Sequence, residues 1–165
     1  MLRSEKEIFM TPSVVEKLQT TVDELPTLVG RTFGPSSWRE ITQQEVQRYA
    51  DLSGDNNPIH TDPDVAAKGP FGTTIAHGYL TLGLVVPLMA EIFEVVDMGT
   101  GVNYGLDRLR FPAPVPVGSS VRVNGSIGAV SPIEGGYQIQ VDVVFEVSTS
   151  PKPACVAQLV LRYYK

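Results

Sequence analysis

The amino-acid sequence predicts an α+β fold in which one antiparallel sheet wraps around a long central helix. A largely apolar segment over residues 79–98 has the composition of a buried helix. Beyond residue 120, three runs alternate apolar and polar side chains, which is the period of strands with one buried face. Short turn sequences separate these runs, so consecutive strands should pair antiparallel and cover their apolar face with the helix.

The first 41 residues predict one helix and one strand. Thr11 and Pro12 suit the start of a helix, and valine and leucine at helical spacing extend it through residues 11–29. A glycine- and proline-containing break follows. Residues 36–41 then predict a short strand with Trp38, the single tryptophan, on one face.

Clear helix signals follow. Thr42 and Glu45 form the T-x-x-E pattern of a capping box, and Gly54 suits the residue after a helix end. These signals predict a helix over residues 43–53. Asp62-Pro63 predicts a second, short helix, and the long helix should run over residues 78–96 with a kink or a break at Pro87.

The rest of the chain predicts the sheet. Predicted strands cover residues 102–111, 121–130, 137–148 and 155–163. The run over 137–148 alternates most strictly and is the strongest strand signal in the chain. The clusters SPIEGG (131–136) and SPKP (150–153) predict the connecting turns.

Composition limits the class of protein. With 165 residues and 17.9 kDa the chain fits one domain, and 42% apolar against 19% charged residues suits a packed core rather than a disordered chain. A net charge of −5 disfavours general nucleic-acid binding. One cysteine, Cys155, excludes an internal disulfide, and the charged N-terminus does not resemble a secretory signal, so a cytoplasmic protein is expected.

The apolar segment over residues 79–98 is also a candidate membrane span. A span needs roughly 20 predominantly apolar residues. This segment contains Glu91, Glu94, Asp97 and Pro87, and carboxylates are costly in hydrocarbon. We therefore expect a buried helix and no membrane span.

The segment Asp55-Asn56-Asn57-Pro58-Ile59-His60 is the main candidate for chemistry. A carboxylate and an imidazole can bind one water and share its protons, and the Asn-Pro step fixes their spacing. The same residues also suit a turn whose side chains serve only the backbone. One histidine and one carboxylate are too few ligands for a metal, so no metal site is expected.

His77-Gly78 is the second candidate. It falls at the predicted start of the long helix, where free N–H groups favour negative charge, and glycine lets an oxygen approach the backbone. Such an N–H could hold an enolate-like oxygen. The alternative is that His77 only caps the helix.

These residues resemble a known family. The segments YADLSGDNNPIHTDPDVAAKGPFGTTIAHGYLTLGL and NYGLDRLRFPAPVPVGSSVRV are similar to the hydratase motif and following strand of the MaoC-like, (R)-specific enoyl-CoA hydratases. The resemblance covers roughly residues 37–130. It implies a hot-dog fold, with a MaoC-like domain over residues 36–165 and an N-terminal helical extension over residues 1–35.

The resemblance also implies an activity and a site. The activity is reversible hydration of trans-2-enoyl-CoA to (3R)-hydroxyacyl-CoA in fatty-acid metabolism. Asp55 and His60 would be the catalytic pair and Asn57 would orient it. The Gly78 N–H would bind the thioester oxygen, and His77 and Tyr79 would help to orient or bind the substrate.

Coenzyme A would be part of the substrate, with no cofactor required, and a homodimer is expected. An acidic protein needs local cations for the CoA phosphates, and the candidates are Arg108, Arg110, Arg122 and Lys68. Three alternatives remain open. They are a (3R)-hydroxyacyl-acyl carrier protein dehydratase, a hot-dog acyl-CoA thioesterase, and an acyl-binding subunit without catalytic activity.

Overall fold

A computed structural model describes residues 16–165. A 3-10 turn, Leu25–Leu28, follows the first strand. The helices are α1 (Gln43–Ser53), α2 (Pro58–Thr61), α3 (Pro63–Ala66), α4 (Gly78–Gly83) and α5 (Val85–Ile92). The strands are β1 (Leu18–Thr20), β2 (Thr32–Phe33), β3 (Arg39–Glu40), β4 (Phe93–Val95), β5 (Thr100–Arg110), β6 (Ser120–Ile133), β7 (Gly136–Val147) and β8 (Ser150–Tyr164).

One six-stranded antiparallel sheet forms the body of the protein. Its strand order is β2-β6-β7-β8-β5, and β3 pairs with a second part of β6. The consecutive strands β6, β7 and β8 pair antiparallel, as the short connections predict. Strands β1 and β4 form a separate parallel pair.

The core lies between this sheet and helix α5. Leu88 and Ile92 of α5 are almost completely buried, and they belong to one apolar cluster with Val141 and Phe145 of β7. The alternation predicted for β7 and β8 is therefore confirmed as a buried face. Cys155 lies in this cluster, and burial raises the pKa of its thiol to about 11, so it stays protonated and is no nucleophile.

The predicted long helix is interrupted at Leu84, between α4 and α5, and it ends at Ile92 rather than at residue 96, since the chain continues as strand β4 from Phe93. Pro87 lies in the first turn of α5, three residues after Leu84, where its missing N–H costs no intrahelical hydrogen bond. The break that the sequence allowed at Pro87 is therefore found just before it, and the prediction of helix up to residue 96 is wrong. Among residues 16–165, no helix is long and apolar enough to cross a membrane.

Four other predicted elements differ from the structure in type or extent. The described part of the predicted helix over 11–29 forms β1 and the 3-10 turn, because its apolar residues pack against β4 and the core; residues 11–15 lie outside the described range. The predicted strand over 36–41 is reduced to β3. Strand β6 continues through the first half of SPIEGG, so the predicted turn is confined to residues 134–135. SPKP begins β8 rather than a turn, with its prolines in an irregular stretch of the β7–β8 pairing.

The capping box at the start of α1 is confirmed. The Glu45 N–H donates to Thr42 Oγ1, and the Glu45 carboxylate accepts from the Thr42 N–H at 3.0 Å. Arg39 Nη2 lies 2.6 Å from the same carboxylate. Partial burial opposes ionisation of Glu45, but the Thr42 hydrogen bonds and the charge of Arg39 outweigh it, so the pKa of the Glu45 carboxyl is lowered from 4.5.

We expect Glu45→Gln to lower the free energy of unfolding near pH 7 by about 0.5–1 kcal/mol, because the ion pair is partly exposed. A carboxyl with a lowered folded-state pKa stabilises the protein above its unfolded pKa, and this stabilisation is lost as pH falls through the folded pKa. Urea unfolding near pH 7 and near pH 3 measures the effect, with a smaller difference from wild type at the lower pH. A difference that is constant with pH would show that the Glu45 charge contributes nothing.

Candidate active site

The loop after α1 presents the first candidate residues. Helix α1 ends at Gly54, whose φ of 79° reverses the chain. Asp55 follows with an exposed side chain, and its Oδ1 lies 3.4 Å from the Asn57 N–H. Asn57 is extended, as its position before Pro58 requires, and its Oδ1 accepts from the Ile59 N–H at 3.2 Å.

The structure refines the prediction of a turn in this loop. Residues 58–61 form the one-turn helix α2. The Asn57 side chain caps that helix, which is the backbone-serving contact that the turn alternative predicts, and among the described residues it makes no hydrogen bond to the side chain of Asp55 or His60.

His60 is buried, and its ring orientation is fixed. Its Nδ1 lies 2.7 Å from the Ile75 carbonyl oxygen. A carbonyl can only accept, so Nδ1 carries the proton and the neutral ring keeps a free lone pair on Nε2. The imidazole is thereby held as a proton acceptor at Nε2.

His77 is buried beside His60. Its Nε2 lies 2.9 Å from the main-chain oxygen of Asp55, and its ring stacks on the His60 ring with 3.8 Å between centroids. Tyr49 of α1 also contacts the His77 ring, with 4.8 Å between the ring centroids. Although His77 is the N-cap residue of α4, its side chain makes no capping hydrogen bond, so the helix-cap alternative is wrong. The buried His77 Nδ1 has no hydrogen-bond partner among the described residues.

Asp55, His60 and His77 converge on one point. One polar atom of each lies within 4.8 Å of the other two. A single water oxygen can therefore lie about 2.8 Å from all three, which is a hydrogen-bond distance.

The sequence argument against a metal site assumed that only one histidine lies here. That assumption is wrong, because the fold brings His77 to the same place as a second imidazole. The two rings nevertheless stack with an interplanar angle of 29°. Their lone pairs then lie in nearly parallel planes, whereas two imidazoles on one zinc ion must converge on it at about 2.0–2.1 Å. The arrangement favours a water over a metal ion.

A cavity of about 310 Å³ opens beside this cluster. His60 and Gly78 line it together with apolar residues that include Phe71, Phe111 and Ala154. Gly78 is the first residue of α4, so its N–H has no intrahelical acceptor. The site therefore combines a water position, a free N–H donor and an apolar pocket.

The remaining predicted residues lie further out. Tyr79 is largely exposed and meets Phe111 edge-on, with 6.1 Å between ring centroids. Arg108, Arg110 and Lys68 are exposed, and each lies within three residues of a cavity-lining phenylalanine in the chain.

Arg122, the fourth cation candidate, is already engaged. Both Nε and Nη2 donate to one oxygen of Glu146, and the guanidinium lies 4.5 Å from the centre of the Trp38 ring. This pairing removes Arg122 from the CoA candidates.

Sequence reasoning missed three contributors. The Ile75 carbonyl that orients His60 is a main-chain group, and no side-chain pattern signals it. Tyr49, which lies against His77, fell in the predicted helix over residues 43–53 with no functional signal. Phe111 was predicted only as the end of a strand, although its position after the β5 arginines was a usable signal.

Comparison with known proteins finds a matching family and relatives named as a dehydratase and a hydratase. The MaoC-like domain family matches residues 24–148. The chain is 47% identical over 144 residues to 3-hydroxyacyl-thioester dehydratase Z of Mycobacterium tuberculosis H37Rv, covering 87% of this chain and 95% of that protein. It is 31% identical over 94 residues to the (R)-specific enoyl-CoA hydratase of Rhodospirillum rubrum, covering 57% and 62% of the two chains.

Solved structures agree on the fold. The (R)-hydratase from A. caviae involved in PHA biosynthesis superposes with a TM-score of 0.66 at 25% identity, covering 81% of this chain and 94% of that chain. This likeness and the sheet wrapped on α5 confirm the predicted hot-dog fold.

The close packing of Phe111 on Gly78 gives a test. A Cβ at Gly78 would lie 2.8 Å from Phe111 Cε2. We expect Gly78→Ala to destabilise the protein by about 1–3 kcal/mol through overpacking, and Phe111→Ala to remove most of that cost in the double variant. Urea unfolding of both single variants and the double variant measures the coupling. Strictly additive changes would show that Phe111 does not restrict position 78.

Proposed function

Because this chain belongs to the MaoC-like domain family, we propose that it interconverts a trans-2-enoyl-CoA and the (3R)-hydroxyacyl-CoA. Hydration and dehydration are two directions of one equilibrium, so relatives named as dehydratase and as hydratase agree on the chemistry. The observation that carries the proposal is the convergence of Asp55, His60 and His77 around one water position beside an apolar cavity. The (3R) product is proposed from the similarity to (R)-specific hydratases.

In the hydration direction, Asp55 and His60 hold the attacking water. The water oxygen bonds to C3, its proton passes to the pair, and a proton is delivered to C2. The free Nε2 of His60 suits this transfer. We assign the proton to the pair as a unit, because two groups that share one water titrate together. His77 supports the pair by stacking on the His60 ring and by its hydrogen bond to the Asp55 main-chain oxygen.

The thioester oxygen gains negative charge as water adds to C3. The Gly78 N–H lies at the start of α4, on the cavity wall that also holds His60, and would donate to this oxygen. The apolar walls of the cavity would hold the acyl chain and keep bulk water from the reacting carbons. No cofactor takes part in this chemistry.

CoA is the proposed acyl carrier. Acyl carrier protein is acidic, and a chain with a net charge of −5 would repel an acidic protein partner over a broad surface. The phosphates of CoA need only a few cations. Arg108, Arg110 and Lys68 are the proposed ones, since they flank the phenylalanines that line the cavity.

A homodimer through β5 is also proposed. In the described chain β5 pairs on one side only, with β8, and all of its residues except Leu109 are exposed. Long exposed edges are templates for pairing with another strand. Val102, Tyr104 and Leu106 add apolar side chains, and an apolar groove of about 370 Å³ lies between this strand and α5. A second copy, related by twofold symmetry, would extend the sheet and cover the groove.

The catalytic assignment is tested with crotonyl-CoA. We expect Asp55→Asn and His60→Gln each to lower kcat/KM about 10²–10⁴-fold, the usual contribution of general acid–base catalysis. The assay follows loss of the enone absorbance together with release of free thiol. Hydration consumes the enone without releasing thiol, and chiral analysis of the product identifies the (3R) alcohol.

Asp51→Asn is the matched control, because Asp51 is an exposed carboxylate of α1 that accepts a hydrogen bond only from Gln47 among the described residues. It should keep wild-type activity. Full activity in both Asp55→Asn and His60→Gln would refute the assignment, and thiol release would indicate a thioesterase.

The dimer is tested at the β5 edge. Wild type should have twice the 17.9 kDa mass of one chain in light scattering. We expect Leu106→Lys to shift it towards monomer, because two charges would meet across the new strand pair. Val144→Lys is the control, since Val144 has similar exposure but lies on β7 inside the sheet. A wild-type monomer, or an equal effect of both variants, would rule out the β5 interface.

A further inference from the structure

We propose that Gln43 is a positioning residue of the active site: its carboxamide holds the His60 turn against the Thr74–Ile75 segment that orients the imidazole. The inference rests on the proposed function of His60. Gln43 is the first residue of α1, a position where the sequence indicated only helix capping.

Gln43 bridges the two segments that make up the site. Its Nε2 donates to the His60 carbonyl at 2.8 Å, and its Oε1 accepts from Thr74 Oγ1 at 2.6 Å. Thr74 is 4% exposed and His60 is 7% exposed, while Gln43 is half-buried, so both contacts are partly shielded from solvent. Hydrogen bonds in this setting are stronger than those on the surface.

The chemistry of the partners fixes the orientation of the amide. The His60 carbonyl can only accept, so the amide atom that faces it must be the NH2 group. The oxygen then faces the Thr74 hydroxyl, which donates to it. Reversing the amide would place two acceptors together at His60, so a single orientation is stable.

The bridge closes a ring of hydrogen bonds around the imidazole. His60 Nδ1–H donates to the Ile75 carbonyl, and the Ile75 N–H donates to the Ile59 carbonyl at 3.1 Å. Gln43 adds the third link between the same two segments. Since α2 has only one turn, it has little stability of its own, and its last carbonyls lack intrahelical partners. Without Gln43, the His60 turn could move relative to the carbonyl that sets its tautomer.

Gln43→Glu is the most direct test. A carboxylate of the same shape can still accept from Thr74, but when ionised it cannot donate to the His60 carbonyl. We expect kcat for crotonyl-CoA hydration to fall roughly 10- to 100-fold, the cost of a misplaced catalytic group, with KM unchanged because Gln43 does not line the cavity. The His60 Nδ1–H signal in 15N-resolved NMR should shift or broaden.

Two further variants sharpen the test. Gln44→Glu places the same charge on the next residue of α1, which is exposed, and should leave kcat and the His60 signal unchanged. Thr74→Val removes the second partner of Gln43 at nearly constant volume. It should lower kcat in the same direction by a smaller factor, and it tests the bridge if Gln43→Glu does not fold.

Wild-type kcat in folded Gln43→Glu would overturn the inference, as would an equal loss in Gln44→Glu. A loss of kcat with an unchanged His60 signal would also overturn it, because the effect would not pass through His60. If the wild-type protein shows no hydratase activity, the proposed function fails. The NMR comparison then still decides whether Gln43 positions His60.

Discussion

A 2.7 Å hydrogen bond joins His60 Nδ1–H to the carbonyl of Ile75, fifteen residues further along the chain. This contact fixes which nitrogen of the ring is free, buries the ring, and brings the α2 turn to the segment that ends at Gly78. His77, two residues after Ile75, reaches back to the Asp55 carbonyl. The two imidazoles thus join the same two segments, and these contacts bring polar atoms of Asp55, His60 and His77 within 4.8 Å of one another.

The sheet holds in place the backbone segments that make these hydrogen bonds. The chain between β5 and β6 holds the Ile75 segment by main-chain hydrogen bonds, from the Ala76 N–H to Val115 and from the Val117 N–H to Thr74. Strand β6 is anchored in turn by its pairing with β7 and by the core on α5. The site therefore lies on loops whose backbone is fixed by the sheet, which suits groups that must be placed within fractions of an ångström.

Local signals predicted the local structure well. The capping box at Thr42 and Glu45, Gly54 in the left-handed region and the Asp62-Pro63 start of α3 all act within a few residues, so sequence alone sufficed. Predictions that depended on neighbours were wrong. Apolar spacing before residue 29 suggested a helix, but pairing with β4 makes strand β1.

The sequence by itself determined the alternating strands, the helix that covers them, and the order of Asp55, Asn57, His60, His77 and Gly78 along the chain. Only the tertiary structure decided that His77 stacks on His60, that Asn57 caps α2, and that Gln43 joins two loops. Periodicity and capping report interactions between residues close in sequence. The site depends on main-chain carbonyls and ring contacts between segments 15 to 31 residues apart, and residue types along the chain do not record which distant carbonyl a side chain will meet.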